Sequence, residues 1–343
     1  MKSRLIAIAI AVALAAVVVA AASAGKTGPG TSTGTGQVFA DNPVQSSGDE
    51  SLTDQSDSDA AVPMSDYITV KLTNLDGSGF LCGDWACVTS ETGSPAFSPT
   101  NTFVYTRHAD QFEQTMAYYW ITEAQKYVQS LGFGTRYRGA NNTQQHVRID
   151  QYGQDNSFET TQPSPQIRYG KGGVDDAEDA EVILHEYGHA IHEAQGFQFA
   201  SEEAGAISEG FGDYFAASAT DAILRSLGIK SMTPLVCLMD WDSTSYTSTV
   251  PHCIRRLDAN LHYPQDLNGE VHHDGTIWSQ ALWTIHQALG NVKADTIILQ
   301  GQFDFPGTTM TDLANRTVAA AQKLYGAKTA AVVHDAFAAR GIL

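Results

Sequence analysis

The residue pattern predicts an α+β chain in two parts, a mixed α and β half followed by a mainly helical half, with a small β unit ahead of both. Three observations carry this. Short alternating apolar runs bounded by turn residues occupy 67–88 and recur near 147–150 and 167–169, as half-buried strands do. Residues 110–131 place Phe112, Met116, Tyr119, Ile121, Ala124, Tyr127 and Val128 at helical spacing and stop at Gly132, a helix with its terminator. Further helical stretches at 276–289, 311–324 and 327–339 close the chain, and no repeat is visible.

From the N-terminus, Lys2 and Arg4 precede an apolar run over 5–20 and then Ala22-Ser23-Ala24. This predicts a secretory signal over 1–24, with an uncleaved anchor as the alternative. Residues 25–65 are rich in Gly, Ser, Thr, Asp and Gln and are expected to be a flexible segment, since so few apolar side chains cannot offset the ordering entropy. Residues 66–105 form the small β unit: Tyr67-Ile68-Thr69-Val70-Lys71-Leu72 alternates, Gly77-Ser78-Gly79 turns, and a second strand runs over 80–88. Export makes disulfides plausible. The four cysteines are expected to pair locally, Cys82 with Cys87 and Cys237 with Cys253, because neither pair has the C-x-x-C spacing of a structural zinc site. The net charge is −18, about −20 without the basic leader, which argues against a nucleic-acid or anionic-membrane partner.

The chemistry centres on His185-Glu186-Tyr187-Gly188-His189. Residues four apart share a helix face, so the two imidazoles can meet one metal ion with Glu186 beside them. Catalytic zinc takes three protein ligands. Ser208-Glu209-Gly210-Phe211-Gly212-Asp213 offers the third: Glu209 lies 20 residues after His189, room for a turn and a second helix. Asp213, one helical turn further, can accept the outer N–H of a ligand histidine.

The two segments resemble the active-site helices of the thermolysin and fungalysin group of gluzincins, over roughly residues 156–289. The resemblance implies a thermolysin-like two-part catalytic domain over 106–343 with the cleft between its halves. It implies Zn²⁺ on His185, His189 and Glu209, Asp213 behind them, and Glu186 as general base. It further implies that Asn156 and Ser157, in Gln154-Asp155-Asn156-Ser157-Phe158, bind the substrate backbone beside an edge strand. In Glu270-Val271-His272-His273-Asp274-Gly275, His272 is the expected donor to the transition state, with His273 as its rival. Arg255, less so Arg256, is expected to bind a substrate carbonyl, and Asp266 to orient His272. Glu181 matches a calcium-binding acid, and five carboxylates crowd 175–181, so structural Ca²⁺ is a second expected ion.

Other classes are weighed on spacing. A metzincin needs Gly at 192 and His at 195, where this chain has His192 and Gln195. A zinc aminopeptidase would put its glutamate at Ser208 and carry a Gly-x-Met-Glu-Asn sequence, absent here. A non-catalytic exported binding protein should have lost Glu186 or a ligand, and none is lost. Two departures from the group are the absence of a loop tyrosine, matched by Ala200, and of a large propeptide before the β unit. The expectation is a secreted zinc-dependent metalloendopeptidase acting on proteins or peptides.

Overall fold

The computed structural model describes residues 32–90, 93–149 and 154–343; the expected signal segment lies outside them. Strand β1 (Ser32–Phe39), helix α1 (Pro43–Ser47) and strand β2 (Tyr67–Leu75) open the chain. Strands β3 (Ala86–Ser90) and β4 (Thr102–Phe103), helix α2 (Asp110–Ser130), and strands β5 (Gln145–Ile149), β6 (Phe158–Thr160) and β7 (Gln166–Arg168) complete the mixed half. One sheet has the order β2-β1-β4; the other has the order β3-β5-β7-β6, parallel except for the antiparallel edge strand β6. Helix α2 packs on both, burying Phe112, Met116, Trp120 and Ile121.

Two expected boundaries are corrected. Residues 25–65 are not a flexible segment where the structure describes them. β1 pairs along β2 from Ser32 to Phe39, Val38, Phe39 and Val44 are fully buried, and the Phe39 ring lies 4.7 Å from Phe112 and 4.8 Å from Tyr67. Low apolar content rules out folding alone, but it does not stop a few well-placed side chains from docking on a neighbour's apolar face. Nor is 66–105 a separate β unit: β2 belongs to one sheet and β3 to the other, so the mixed half takes in these residues ahead of 106. The strand expected over 80–88 starts only at Ala86, because Cys82 and Cys87 are bonded across a tight loop.

The helical half follows: α3 (Ala180–Ala194), α4 (Glu202–Leu227), the short strands β8 (Cys237–Leu238) and β9 (Arg255–Arg256), then α5 (Val271–Leu289), α6 (Asn291–Gln302), α7 (Met310–Tyr325) and α8 (Ala327–Ala338). Helix α6 escapes a periodicity reading because it is buried almost all round, Ala294 to Leu299 being covered throughout. The Cys237–Cys253 disulfide ties β8 to the approach to β9. One contiguous apolar cluster extends from Val38 to Ile342 and joins the two halves.

A buried arginine–glutamate pair lies just ahead of helix α3. Arg107, fully covered, donates from Nε and Nη2 to the Glu178 carboxylate at 2.8–3.1 Å and from Nη2 to Asp54 at 2.5 Å. Trp241 Nε1 donates to Glu178 at 3.0 Å and stacks its ring on the guanidinium. Burial would keep Glu178 neutral and Arg107 opposes it, leaving the Glu178 carboxyl raised to about 8.

Candidate active site

Glycines bring the two site helices to contact. A Cβ on Gly188 of α3 would lie 3.0 Å from the Gly212 Cα of α4, and one on Gly212 would lie 2.8 Å from the His185 ring. On the other side of α4, a Cβ on Gly210 would meet the Gly275 carbonyl of α5 at 2.2 Å. Only hydrogen fits, so the backbones approach until side chains from three helices share one point. Gly212→Ala is expected to push the His185 ring aside, weaken zinc binding by roughly 10–100-fold and destabilise by about 1–3 kcal/mol; metal titration and thermal melting read the two effects, and unchanged zinc affinity would refute the steric argument.

At that point His185 Nε2 lies 3.2 Å from Glu209 Oε2 and 3.2 Å from His189 Nε2, while His189 Nε2 is 3.6 Å from Glu209 Oε1. The outer nitrogens are anchored. His185 Nδ1 lies 2.9 Å from Asp213 Oδ1, which must accept, so the ring carries its hydrogen on Nδ1 and turns a lone pair inward. His189 Nδ1 lies 2.8 Å from Ser208 Oγ, and the same hydroxyl lies 3.0 Å from His192 Nδ1. With His189 donating to Ser208, and Ser208 donating to His192, His189 also turns a lone pair inward. Two nitrogen lone pairs and a carboxylate thus converge, an arrangement that repels itself unless a cation lies among them. The donor set, spread over less than 4.8 Å, is that of a His₂Glu zinc site.

A proton on His185 meets the same demand where no metal ion is bound. Burial disfavours charge on His185, yet hydrogen bonds to Asp213 and Glu209 raise its pKa to about 10. Burial lowers His189 to about 4, so it is a neutral ligand at pH 7. Against burial, Arg255 and His185 hold Asp213 at about 2, and His189 and His185 keep Glu209 ionised. Glu186 is buried, and one carboxylate oxygen, Oε2, has no partner. Burial chiefly, with Glu209 adding, raises it to about 7 against His185.

Two cavities meet at Glu186. One, of about 390 Å³, runs between Asn156, Val182, Arg255, Tyr246 and His272; the other, of about 570 Å³, runs along edge strand β6 past Glu159, Phe199 and Glu209. Asn156 and Ser157 lie at the entry to β6 and line both. The Ser157 hydroxyl is hydrogen-bonded to Asp176.

Arg255 grips Asp213 with Nε and Nη2, both at 2.7 Å, and so buttresses His185; Arg256 pairs outward with Asp258. His272, second residue of α5, reaches Glu209 Oε2 at 3.4 Å, whereas His273 bonds its neighbour Asp274. The partner of His272 is not Asp266, which accepts from the His262 backbone. It is Glu270, 2.6 Å from His272 Nδ1, which also caps α5 through the amides of His272 and His273. Asp266 is five positions before the helix begins; Glu270 is at the N-cap, where an acid has two amides to accept.

The acidic run 175–181 is dispersed rather than gathered. Glu178 goes to Arg107, and Asp179 caps α3 through the Glu181 amide at 2.9 Å. Glu181 accepts from the Met239 amide at 2.6 Å, and Asp176 faces the smaller cavity. Around Glu181, burial first and then Asp41, Asp179 and Asp240 raise its pKa well above the usual carboxylate range. Both oxygens of Asp41, Oε1 of Glu181 and Oδ1 of Asp240 are buried without a hydrogen-bond partner, and burial likewise raises Asp41 and Asp240 well above that range.

Ser208, Glu270 and Glu159 were not singled out from sequence. Glu159 lies on β6, its carboxyl raised to about 8 by burial, then by Glu193 and Glu186. Ser208 adjoins Glu209 and Glu270 lies two positions before His272, the one signal that could have found them.

Residues 196–342 match the family model described as the thermolysin metallopeptidase alpha-helical domain. The chain is 27% identical over 197 residues to gelatinase of Enterococcus faecalis (strain ATCC 700802 / V583); the match covers 51% of this chain and 36% of that protein, so the chain spans about a third of its relative. The fold is similar to that of the precursor of protealysin, a metalloproteinase from Serratia proteamaculans, at a TM-score of 0.55 and 18% identity over 76% of this chain and 87% of that one.

Proposed function

We propose that this chain, a thermolysin-like metallopeptidase by its helical half and its fold, is a secreted zinc-dependent endopeptidase that hydrolyses peptide bonds in proteins or peptides. The observation that carries the reading is the convergence of two inward lone pairs and the Glu209 carboxylate, with the partnerless oxygen of Glu186 alongside. His185, His189 and Glu209 would hold the zinc. When bound, the ion supplies electrophilic polarisation of a carbonyl and acidifies water.

The remaining work falls to the chain's own groups. Glu186, with a carboxyl near neutrality, takes a proton from the attacking water and passes it to the leaving amine. His272, held by Glu270, donates toward the oxygen that becomes negative. The edge strand β6 pairs with an extended substrate backbone, helped by Asn156, Ser157 and the remaining N–H groups of Arg255. Asp213 fixes the His185 ring. Cavities on both sides of Glu186 leave room for chain on either side of the cut, which favours an endopeptidase over an aminopeptidase. Two disulfides suit an oxidising compartment and support secretion.

The test is hydrolysis of casein and of a quenched peptide library by purified residues 25–343, with metal content measured in parallel. Internal cleavage that a chelator stops and zinc restores, at one zinc per chain, is the expected result; one bound zinc with no cleavage of any substrate would overturn the peptidase reading. A structural Ca²⁺ is proposed among Asp41, Asp179, Glu181 and Asp240. A calcium-selective chelator should then lower the melting temperature by roughly 5 °C or more, and an unchanged midpoint would remove the ion from the account.

A further inference from the structure

The smaller cavity beside Glu186 is lined in part by acids that the mechanism above does not use. Asp176 and Asp242 line it, and with Asp155 behind them the three offer carboxylate oxygens within 4.8 Å of one another. Asp176 and Asp242 are 1% and 4% exposed, and Oδ1 of each is buried without a hydrogen-bond partner. Their other contacts are few: Ser157 donates to Asp176, and Tyr246 Oη donates to Asp155 at 2.6 Å. Gly173 holds the trio tight, since a Cβ there would meet Asp155 Oδ2 at 2.2 Å. Among the described residues no lysine or arginine pairs with any of the three. The nearest cation along the cavity wall, Arg255, is committed to Asp213. Burial first, and then the neighbouring acids, raise Asp176 and Asp242 well above the usual carboxylate range, so they hold protons until a cation enters to take their place.

The cavity says which kind. At about 390 Å³ it has the size of a small-ligand pocket, and it is continuous with the reaction centre through His185, Glu186 and His272. Val182, Met239 and Ile254 line it together with the two acids. An aliphatic stem ending in a positive charge suits a cavity lined by both kinds of surface. We propose that this cavity is a specificity pocket that takes the lysine or arginine side chain adjoining the scissile bond, with Asp176 and Asp242 receiving its charge. The inference rests on the peptidase reading for its substrate, and on the cavity for its chemistry.

A library of peptides varied on both sides of a single cleavable bond tests it. Lysine or arginine next to the cut should be favoured over leucine or norleucine by about tenfold or more in kcat/KM, and Asp176→Asn and Asp242→Asn should each collapse that ratio. An apolar preference, or a basic preference that Asp176→Asn leaves unmoved, overturns the proposal. Binding of N-acetyl-lysine amide against N-acetyl-norleucine amide, by calorimetry on the zinc-loaded protein and on Asp176→Asn, separates the two readings. Lysine-selective, Asp176-dependent binding without hydrolysis would keep the pocket and refute the peptidase; hydrolysis with no lysine selectivity would do the reverse. Calcium that binds in an Asp176-dependent way while the lysine amide does not would make the trio a metal site and overturn the pocket.

Discussion

Glu186→Gln should lower kcat by about three orders of magnitude while one zinc per chain and the melting temperature stay as they were. The amide keeps the size of the carboxylate and cannot take a proton, so the change isolates proton transfer, a contribution of roughly 10²–10⁴ in rate, or about 4 kcal/mol of barrier. Folding gives no reason to expect loss. Glu186 Oε2 makes no hydrogen bond, and burying a neutral amide costs less than burying a charge. Steady-state kinetics on a quenched peptide together with metal analysis read the result; activity within a few-fold of the unaltered chain would exclude Glu186 as the base.

The second large effect concerns stability. Arg107→Leu should destabilise the fold by about 3–5 kcal/mol, because it leaves Glu178 and Asp54 without the cation they surround. At this chain length that is a fall on the order of 10 °C in the melting temperature. Glu178 is already raised to about 8 with the guanidinium in place, so in the variant it takes up a proton before it can remain buried. Sign follows from that: a carboxyl raised above its unfolded value favours the fold below the unfolded pKa and loses that contribution as pH rises through the folded one. Below about pH 8 the folded parent and the folded variant both hold Glu178 protonated, so the deficit of the variant should be level there and widen as pH rises through about 8. Pairing the change with Glu178→Leu should recover most of it, and a single variant as stable as the parent at pH 8 would show the pair to be dispensable.

How much of this could be read beforehand depended on whether a feature had a period. His185, Glu186 and His189 on one helix face are a spacing of four, and Glu209 and Asp213 another, so the elements that gather at the candidate site were legible in outline. The local cysteine pairs were legible because the chain between them is short. Residues 32–65 were not: composition asks whether a segment can fold alone, and β1 folds because β2 and α2 are already there. Arg107 was invisible because one arginine in Thr106-Arg107-His108 has no pattern; its meaning comes from Glu178, 71 residues away. Glu270 lost to Asp266 for want of a helix start placed at Val271. The run 175–181 read as one oxygen-rich patch, and the turn into α3 fans its carboxylates in different directions.

Strand β6 is three residues long and, among the described residues, lies at the edge of its sheet. An incoming backbone can match it only when fully extended, so a helix or a paired hairpin offers nothing to bind. A globular target would then be cut in proportion to the time its own segments spend open. Between two folded proteins of the same composition, the one whose loops breathe more should disappear first, making the order of digestion a record of local unfolding in the target.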